Sequence, residues 1–453
     1  MDRQNLLISV SGIRGVVGKL GGLTPETALR FAAAYATYCK KGRVFVGSDT
    51  RPSRTVILPA VIAGLTGCGL DVIDLGICPT PTVELAVKTL KAAGGLIITA
   101  SHNPIEWNAL KMLNSQGMFL SPAEGERLLR IYHSGVFAYK PHNALGKVGS
   151  MEFVAAHIDK ILKLPAVKIN AIKKRRFKVA LDAVNGAGAM LSPKLLHKLG
   201  CEVICVNCQP TGIFARGPEP VPGSLRQLSR AVKSNKCDLG FALDPDADRL
   251  AIVDEFGKPI GEEYTLAFAI DYILSIKKGP VAVNLSTSRM AEDIAARYGV
   301  RVHRTKVGEI HSSLELKTAR GVIGGEGNGG VIYPEFLYGR DAAVGMALVL
   351  SYLAKRGVSV SQAVDALPRF VMIKDKIEAT HEEIEGYFPE LTRFSSGAVV
   401  NIDDGIKFDY EDSWMHIRAS NTEPFARIIA EARTAKEAKK LVLSARAVIK
   451  GGL

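Results

Sequence analysis

Short apolar runs alternate with longer amphipathic segments along the first part of the chain. Residues 43–47 and 70–75 are rich in branched and aromatic side chains and predict buried strands. Residues 55–67 and 82–92 have the spacing of helices and lie between and after those strands. Repeated alternation of strand and helix implies a mostly parallel sheet with right-handed crossover connections.

The same alternation continues through the middle of the chain, and the pattern then changes. The strands predicted there are 178–182, 239–243, 281–285, 300–303 and 321–324, and the helices are 193–199, 262–274 and 289–298. Towards the C-terminal end, short alternating segments predict an antiparallel sheet over 398–402, 406–410 and 414–417. Residues 435–450 predict a helix that covers this sheet.

A chain of 453 residues is too long for a single hydrophobic core. We expect an α/β protein in which three consecutive mixed-sheet α/β domains of similar topology precede a smaller α+β C-terminal domain. The domain limits that we predict are 1–150, 151–255, 256–367 and 368–453. If the last domain moves, its hinge should lie near residues 366–369.

One candidate site follows the apolar run 95–98, which ends in Thr-Ala-Ser-His-Asn-Pro. This run predicts a strand that leaves Ser101 in a loop, with Lys111 on the helix that follows. A serine hydroxyl at the carboxyl end of a buried strand is placed for phosphate or nucleophile chemistry. The alternative is that Ser101 and Asn103 only cap the next helix.

A second candidate site is the acidic loop that follows residues 239–243. Asp244, Asp246 and Asp248 occupy alternate positions, and Pro245 favours an extended backbone there. Three carboxylates on one short loop suit Mg²⁺, which leaves a position open for a phosphate oxygen. A solvated acidic turn is the alternative, but carboxylates crowded behind a buried strand repel one another unless a cation lies between them.

Two glycine-containing turns are weaker candidates for anion binding. Arg14 lies in a glycine-flanked turn after the first apolar run, where its guanidinium could reach phosphate oxygens. Residues 185–188, Asn-Gly-Ala-Gly, could also hold a phosphate, although we favour a packing role for a single turn of this kind.

The formal net charge of +13 fits a phosphorylated ligand as well as it fits nucleic acid. The dense basic run 173–176 has no interleaved aromatic side chains, so we expect no nucleic-acid partner. Seven cysteines fit a reducing compartment, and Cys201, Cys205 and Cys208 lie in a strand-like segment that disfavours a zinc role. No apolar run is long enough to span a bilayer, and the first ten residues lack a signal peptide, so we expect a cytoplasmic protein without a membrane partner.

Four separated motifs resemble those of the α-D-phosphohexomutase family, and the resemblance extends over essentially the whole chain. The motifs are residues 11–15, residues 99–104, the loop 244–249 together with 325–329, and residues 418–424. Within the family, the motifs most resemble those of the archaeal-type phosphoglucosamine mutases and of the phosphomannomutase/phosphoglucomutase group. Residues 8–10 depart from the Phe-Gly-Thr that usually precedes the first motif.

The resemblance implies an isomerase that interconverts 6-phospho and 1-phospho hexoses through a phosphoserine and a bisphosphorylated sugar. It implies Mg²⁺ as cofactor, a hexose 1,6-bisphosphate as primer and a phosphosugar as the partner. The catalytic residues would be Ser101, Arg14, His102, Lys111 and Arg249, and the metal ligands would be Ser101, Asp244, Asp246 and Asp248. The substrate-binding residues would be Glu326, Asn328, Lys306, Gly308, Arg418, Ser420, Asn421, Thr422 and Arg427.

Asn328 occupies a position where many family members have serine, which favours glucosamine phosphate as the substrate. A phosphomannomutase/phosphoglucomutase of broad specificity is the alternative within the family. A metal-dependent phosphatase and a sugar-phosphate sensor are the alternatives outside it. Whether Lys111 or His102 transfers a proton stays open at this point, because a purely electrostatic role suits either residue.

Overall fold

The computed structural model describes residues 6–9, 12–19, 21–419 and 425–451. Ser420, Asn421 and Thr422, which we predict to bind substrate, lie outside the described residues, as does Ser11 of the first motif. Within the described residues, four β-sheets follow one another along the chain, each with its own helices. The predicted fold class is therefore confirmed, while the domain limits stay a prediction.

In the part of the chain that the structure describes, the first sheet has seven strands in the order β1-β2-β6-β5-β3-β4-β7. Its strands are β1 (Leu6–Ser9), β2 (Gly12–Val16), β3 (Arg43–Ser48), β4 (Asp71–Ile77), β5 (Gly94–Ile98), β6 (Trp107–Leu113) and β7 (Val148–Ser150). Its helices are α1 (Pro25–Cys39), α2 (Arg54–Gly67), α3 (Thr80–Leu90) and α4 (Pro122–Ser134). The strands β3, β4, β5 and β7 are parallel, whereas β1, β2 and β6 join by antiparallel pairing.

Two predictions about this sheet were wrong. Lys111 lies on the strand β6 and not on a helix, because residues 107–113 pair with β5 on one side and with β2 on the other. Arg14 lies inside the strand β2 and not in a turn, since Leu7 and Ala109 flank it across the sheet. These antiparallel strands make the first sheet mixed and not mostly parallel.

The second and third sheets have four strands each. The second sheet contains β8 (Lys178–Asp182), β9 (Glu202–Val206), β10 (Leu239–Leu243) and β11 (Leu250–Val253), with α5 (Val154–Leu162), α6 (Ile169–Arg175), α7 (Ser192–Lys198) and α8 (Arg226–Asn235). The third contains β12 (Val281–Asn284), β13 (Val302–Thr305), β14 (Ile323–Glu326) and β15 (Gly330–Ile332). Its helices are α9 (Glu263–Leu274), α10 (Met290–Arg297), α11 (Glu309–Thr318), α12 (Ala342–Arg356) and α13 (Val360–Asp365).

One four-stranded arrangement recurs in all three sheets. Numbered within each repeat, the strands lie in the order 4-3-1-2, as β6-β5-β3-β4, β11-β10-β8-β9 and β15-β14-β12-β13. The first three strands are parallel, and the fourth returns antiparallel to the third. The connection between strands three and four is therefore equivalent in each repeat, and we call residues 99–106, 244–249 and 327–329 the three hairpin loops.

The C-terminal sheet is antiparallel throughout, in the order β16-β20-β19-β18-β17. Its strands are β16 (Val371–Glu378), β17 (Val399–Asn401), β18 (Ile406–Asp409), β19 (Trp414–Ala419) and β20 (Phe425–Ala432). Its helices are α14 (His381–Gly386), α15 (Phe388–Phe394) and α16 (Ala435–Ile449). The helix α16 packs on one face of the sheet, as the sequence predicts.

The first three domains share one apolar cluster, whereas the C-terminal domain has its own. One continuous cluster of buried side chains runs from Phe45 through Leu181 to Leu353, so it joins the first three domains. The C-terminal domain has a separate cluster of its own, built from residues of β16, β18, β19, β20 and α14–α16. The first three domains are therefore held to one another by apolar packing, and the fourth is held to the third largely by polar contacts. Among the described residues, no helix is long and apolar enough to cross a membrane.

Candidate active site

The three hairpin loops converge on one buried group of side chains. The Ser101 hydroxyl, from the first loop, donates a hydrogen bond of 2.8 Å to Oδ2 of Asp244 in the second loop. Arg340 then connects the second loop to the third, because its guanidinium donates to Asp248 at 2.5 Å and also to Glu326 at the end of β14. Equivalent positions of the three repeats thus supply the centre of the site.

The Ser101 turn is held by a buried arginine that sequence analysis did not single out. Ser101 has a left-handed backbone, with φ at 49°, and its side chain is almost completely buried. Arg51 donates hydrogen bonds to the carbonyl oxygens of Ser101 at 2.9 Å and Asn103 at 2.6 Å, and it forms an ion pair with Asp49. The sequence does contain a signal for Arg51, because the polar residues 49–51 directly follow the strand β3, just as the Ser101 loop follows β5.

The three aspartates of the second loop form a compact group of oxygen ligands. Oxygens of Asp244, Asp246 and Asp248 lie within 4.8 Å of one another, and all three side chains are buried. Oδ1 of Asp246 and Oδ1 of Asp248 are buried without a hydrogen-bond partner. Burial and the two neighbouring carboxylates raise the pKa of Asp244 well above its ordinary value. Oxygen ligands with unused lone pairs and unfavourable mutual repulsion fit a divalent cation such as Mg²⁺.

Lys111 reaches the aspartates from the strand β6. Its Nζ atom lies 2.8 Å from Oδ2 of Asp246, which also accepts a hydrogen bond of 2.8 Å from the Thr80 hydroxyl. Burial alone would raise the pKa of Asp246, but the Lys111 ammonium and these hydrogen bonds lower it below its ordinary value. Asp246 is therefore ionised, and Lys111 supplies part of the positive charge that balances the group.

Two arginines and a histidine complete this part of the site. Nη1 of Arg14 donates to Oδ1 of Asn103 at 2.7 Å, and Nη1 of Arg249 donates to Oε1 of Glu219 at 3.1 Å. The positive charge of Arg249, with burial and Arg14, lowers the pKa of His102 well below its ordinary value. His102 is consequently neutral at pH 7, and its Nδ1 atom is buried without a hydrogen-bond partner.

The end of β14 and the third loop present a carboxylate and an amide. Oε1 of Glu326 accepts hydrogen bonds from Asn284 at 2.9 Å and from the Gly308 amide at 3.0 Å, and Oε2 accepts one from Asn328 at 3.2 Å. Burial would raise the pKa of Glu326, but Arg340 lowers it, so the carboxylate is ionised. This arrangement brings together the predicted residues Glu326, Asn328 and Gly308.

Contacts of the loop 306–308 extend the site to the C-terminal domain. The Val307 amide donates to Oδ2 of Asp404 at 2.8 Å, and Oδ1 of the same carboxylate accepts from Nε of Arg418 at 2.7 Å. Lys306 is exposed beside this contact. Arg427 pairs with Arg418 across the strands β20 and β19, so the two predicted arginines are neighbours at one end of the sheet.

Arg340 is a second site residue that sequence analysis missed. It contacts carboxylates of three separate segments, with Nε 3.0 Å from Oε2 of Glu309 in addition to Asp248 and Glu326. Burial raises the pKa of Glu309 to about 7, although Arg340 opposes the shift. The only local signal is an Arg-Asp pair directly before the long apolar helix α12.

The glycine turn 185–188 has the packing role that we favoured. A side chain at Gly186 would lie 2.6 Å from the carbonyl oxygen of Pro245, and one at Gly188 would lie 2.5 Å from the Leu243 side chain. The turn therefore supports the aspartate loop from behind. Of the described residues, only the three aspartates form a cluster of potential metal ligands, so Cys201, Cys205 and Cys208 do not.

Glu263 lies behind the third loop. Its carboxylate packs against Gly327, where a Cβ would meet both of its oxygens at 2.1 and 2.2 Å, and Oε2 accepts a hydrogen bond of 2.9 Å from the Ser288 amide. Burial raises the pKa of this carboxyl to about 8 from an ordinary value of 4.5, and the Lys374 ammonium opposes the shift only in part. Glu263 is therefore largely protonated at pH 7.

Three α/β repeats share one strand order, and their equivalent loops bring together a serine and a buried aspartate cluster that fits a divalent cation. This fold and site define an α/β enzyme. Four family models match the chain, described as domains I, II and III and the C-terminal domain of phosphoglucomutase/phosphomannomutase, over residues 6–138, 155–257, 261–370 and 371–447. The chain belongs to this family, and it is a phosphohexomutase, an isomerase.

Individual relatives agree with the family assignment. A phosphoglucomutase/phosphomannomutase of Thermococcus kodakarensis is 39% identical over 96% of this chain and 96% of the relative. A protein of Pyrococcus abyssi named as a probable phosphoglucosamine mutase is 37% identical over 98% of this chain and 97% of the relative. The crystal structure of a phosphoglucomutase/phosphomannomutase family protein from Burkholderia thailandensis superposes with a TM-score of 0.85 at 24% identity, covering 98% of each chain, and shows the same fold.

We predict that Asp246→Asn abolishes the stabilisation of the protein by Mg²⁺. A ligand present at a hundred times its dissociation constant stabilises the folded state by about 2.7 kcal/mol. Adding Mg²⁺ to chelator-treated protein should therefore raise the midpoint of thermal unfolding in the wild type but not in the variant. Asp403→Asn, which changes an exposed carboxylate, should keep the wild-type response. If Mg²⁺ raised the unfolding midpoint of Asp246→Asn as much as that of Asp403→Asn, the assignment of Asp246 as a metal ligand would be wrong.

We predict that Glu263→Gln stabilises the protein more at pH 8 than at pH 5. The unfolded chain releases this proton above about pH 4.5, whereas the folded chain keeps it up to about pH 8. Stability contributed by the protonated carboxyl is thus complete below pH 4.5 and is lost as the pH rises to 8, by at most about 1.4 kcal/mol per unit. Glutamine removes that loss.

The measurement is the midpoint of thermal unfolding from pH 5 to pH 8 for Glu263→Gln and for Glu382→Gln, which changes an exposed glutamate on α14. Curves for Glu263→Gln and the wild type that stay parallel over this range would show that the carboxyl has no raised pKa.

Proposed function

We propose that the protein interconverts glucosamine 6-phosphate and glucosamine 1-phosphate through a phosphoserine at Ser101 and a bisphosphorylated sugar. The observation that carries the proposal is the buried contact between the Ser101 hydroxyl and Asp244, inside an aspartate cluster that fits Mg²⁺. A nucleophilic hydroxyl next to a divalent-cation site is the arrangement that phosphoryl transfer requires.

The residues of this chain divide the chemistry between them. Asp244, Asp246 and Asp248 would hold Mg²⁺, which when bound would offset the charge of the phosphoryl group on Ser101. Arg249, at the same loop, and Arg14 stabilise the charge that develops during transfer. The free sugar hydroxyl attacks phosphorus, so that its O–P bond forms while the Oγ–P bond of the phosphoserine breaks.

The hydroxyl proton needs an acceptor near the site, and we assign that role to His102. Neutral imidazole accepts a proton, and Nδ1 of His102 is buried without another partner. Lys111 forms an ion pair with Asp246 and therefore acts through its charge. We therefore assign the base to His102 and an electrostatic role to Lys111.

The C-terminal domain grips the phosphate already on the sugar. Arg418 and Arg427, which are opposite each other on β19 and β20, would bind this phosphate, and Ser420, Asn421 and Thr422 would add hydroxyl and amide donors. Glu326 and Asn328, with Lys306 and Gly308, bind sugar hydroxyls. The bisphosphate turns end for end between two transfers, and a hexose 1,6-bisphosphate serves as primer for an unphosphorylated Ser101.

Two observations favour an amino sugar as the substrate. Asn328 replaces the serine of many family members, and the relative from Pyrococcus abyssi carries the name phosphoglucosamine mutase. The relative from Thermococcus kodakarensis carries the other name, so a phosphomannomutase/phosphoglucomutase of broad specificity is the second candidate.

The experiment that tests the proposal compares kcat/KM for glucosamine 6-phosphate, glucose 1-phosphate and mannose 1-phosphate, each with Mg²⁺ and its bisphosphate primer. We expect the highest value for glucosamine 6-phosphate and no turnover by Ser101→Ala, whose fold should persist. Equal values for glucose and mannose phosphates would establish the second candidate. Full activity of Ser101→Ala would exclude the phosphoserine, and release of inorganic phosphate would indicate a phosphatase.

A further inference from the structure

A row of three cationic side chains crosses the C-terminal sheet at its edge near the active site. The strand register places Arg418 of β19 opposite Arg427 of β20, and Arg427 opposite Lys376 of β16. Neighbouring strands lie about 4.8 Å apart, so the row spans roughly 10 Å of backbone. Lys376 is the member that neither the motifs nor the family resemblance singled out.

The three side chains lie on the face of the sheet that meets the third domain. Along β19, the same face carries His416, which contacts the Ser286 hydroxyl through Nδ1 at 2.8 Å. Along β16 it carries Lys374, whose Nζ lies 2.7 Å from Oε1 of Glu262. The opposite face, with residues such as Ile417 and Ile428, packs into the domain's own core against α16.

A chain of contacts leads from the sugar loop to this row. Glu326 accepts from the Gly308 amide, and the adjacent Val307 amide donates to Asp404. The same carboxylate binds Arg418, which begins the row. The row therefore continues the polar surface of the site away from Glu326 and onto the C-terminal domain.

The charges of the row are poorly balanced. Like charges on directly opposed strand positions destabilise a sheet unless something neutralises them. Asp404 binds Arg418, but among the described residues no carboxylate lies within ion-pair distance of Lys376 or Arg427. Both are exposed, and both approach the Phe425 ring, with Nζ of Lys376 4.4 Å from its centroid. Glu378 is on the same face of β16 but forms no ion pair with Lys376.

We propose that Lys376 is a further ligand for the substrate's non-transferring phosphate, which it binds together with Arg427 and Arg418. A phosphate dianion supplies the negative charge that the row lacks, and three donors from three strands surround it more completely than two arginines do. The inference rests on the proposed function, since it adds Lys376 to the phosphate-binding residues of the same site.

The test is Lys376→Gln, measured as KM, kcat and the inhibition constant of inorganic phosphate. We expect KM and that inhibition constant to rise about tenfold or more, as for the loss of one hydrogen bond to a charged group, with a smaller change in kcat. Lys439→Gln is the matched control, because Lys439 is exposed on α16 on the other side of the same domain. Both constants should stay at the wild-type value in this control.

A structural role for Lys376 would give a different result. Lys376→Arg keeps the charge and should restore most of the affinity. Without phosphate, the midpoint of thermal unfolding of Lys376→Gln should not fall below that of Lys439→Gln, because the substitution relieves repulsion within the row. Unchanged phosphate inhibition in Lys376→Gln would overturn the assignment, as would a loss of affinity that Lys376→Arg fails to rescue.

Titration calorimetry with inorganic phosphate on the full chain separates this inference from the proposed function. Binding that depends on Lys376, in a wild-type protein that turns over no hexose phosphate, would refute the mutase mechanism and keep the phosphate ligand. Normal turnover with phosphate binding that is independent of Lys376 would refute the ligand alone.

Discussion

The structure depends on the burial of three carboxylates within 4.8 Å of one another. Desolvation and mutual repulsion oppose this arrangement, so positive charge must be brought to it from elsewhere in the chain. Lys111 arrives from the first domain and Arg340 from the third, while the aspartates belong to the second. The aspartate loop can therefore be neutralised only when the three domains are packed in one relative orientation. The continuous apolar core of those domains stabilises that orientation.

The residues that could be predicted from the sequence are those whose signal is local. Ser101 and the aspartate loop each follow a buried strand directly, so a polar cluster after an apolar run was sufficient to find them. The repeat of the fold was also predictable, because strands and helices alternate in the same way three times. The recurrence of one strand order explains why all three informative loops connect the third and fourth strands of a repeat.

The residues that could not be predicted depend on distant partners. Arg340 binds carboxylates that lie 14, 31 and 92 residues away, and no local pattern reports such a contact. The helix predicted for Lys111 is a strand, and that strand is hard to recognise because residues 107–113 are largely buried and lack the alternation of a half-exposed strand. The glycines at positions 12 and 15 predict a turn around Arg14, although they lie in an inner strand of the sheet.

The separate core of the C-terminal domain has a consequence for how the molecule responds to its surroundings. Contacts such as Lys374 with Glu262 and Arg433 with Asp293 join it to the third domain, and these side chains are partly open to water. Salt screens such pairs while leaving apolar burial intact. Ionic strength is therefore expected to loosen the seating of this domain before it weakens either core, which makes the last domain a separate cooperative unit with its own melting behaviour.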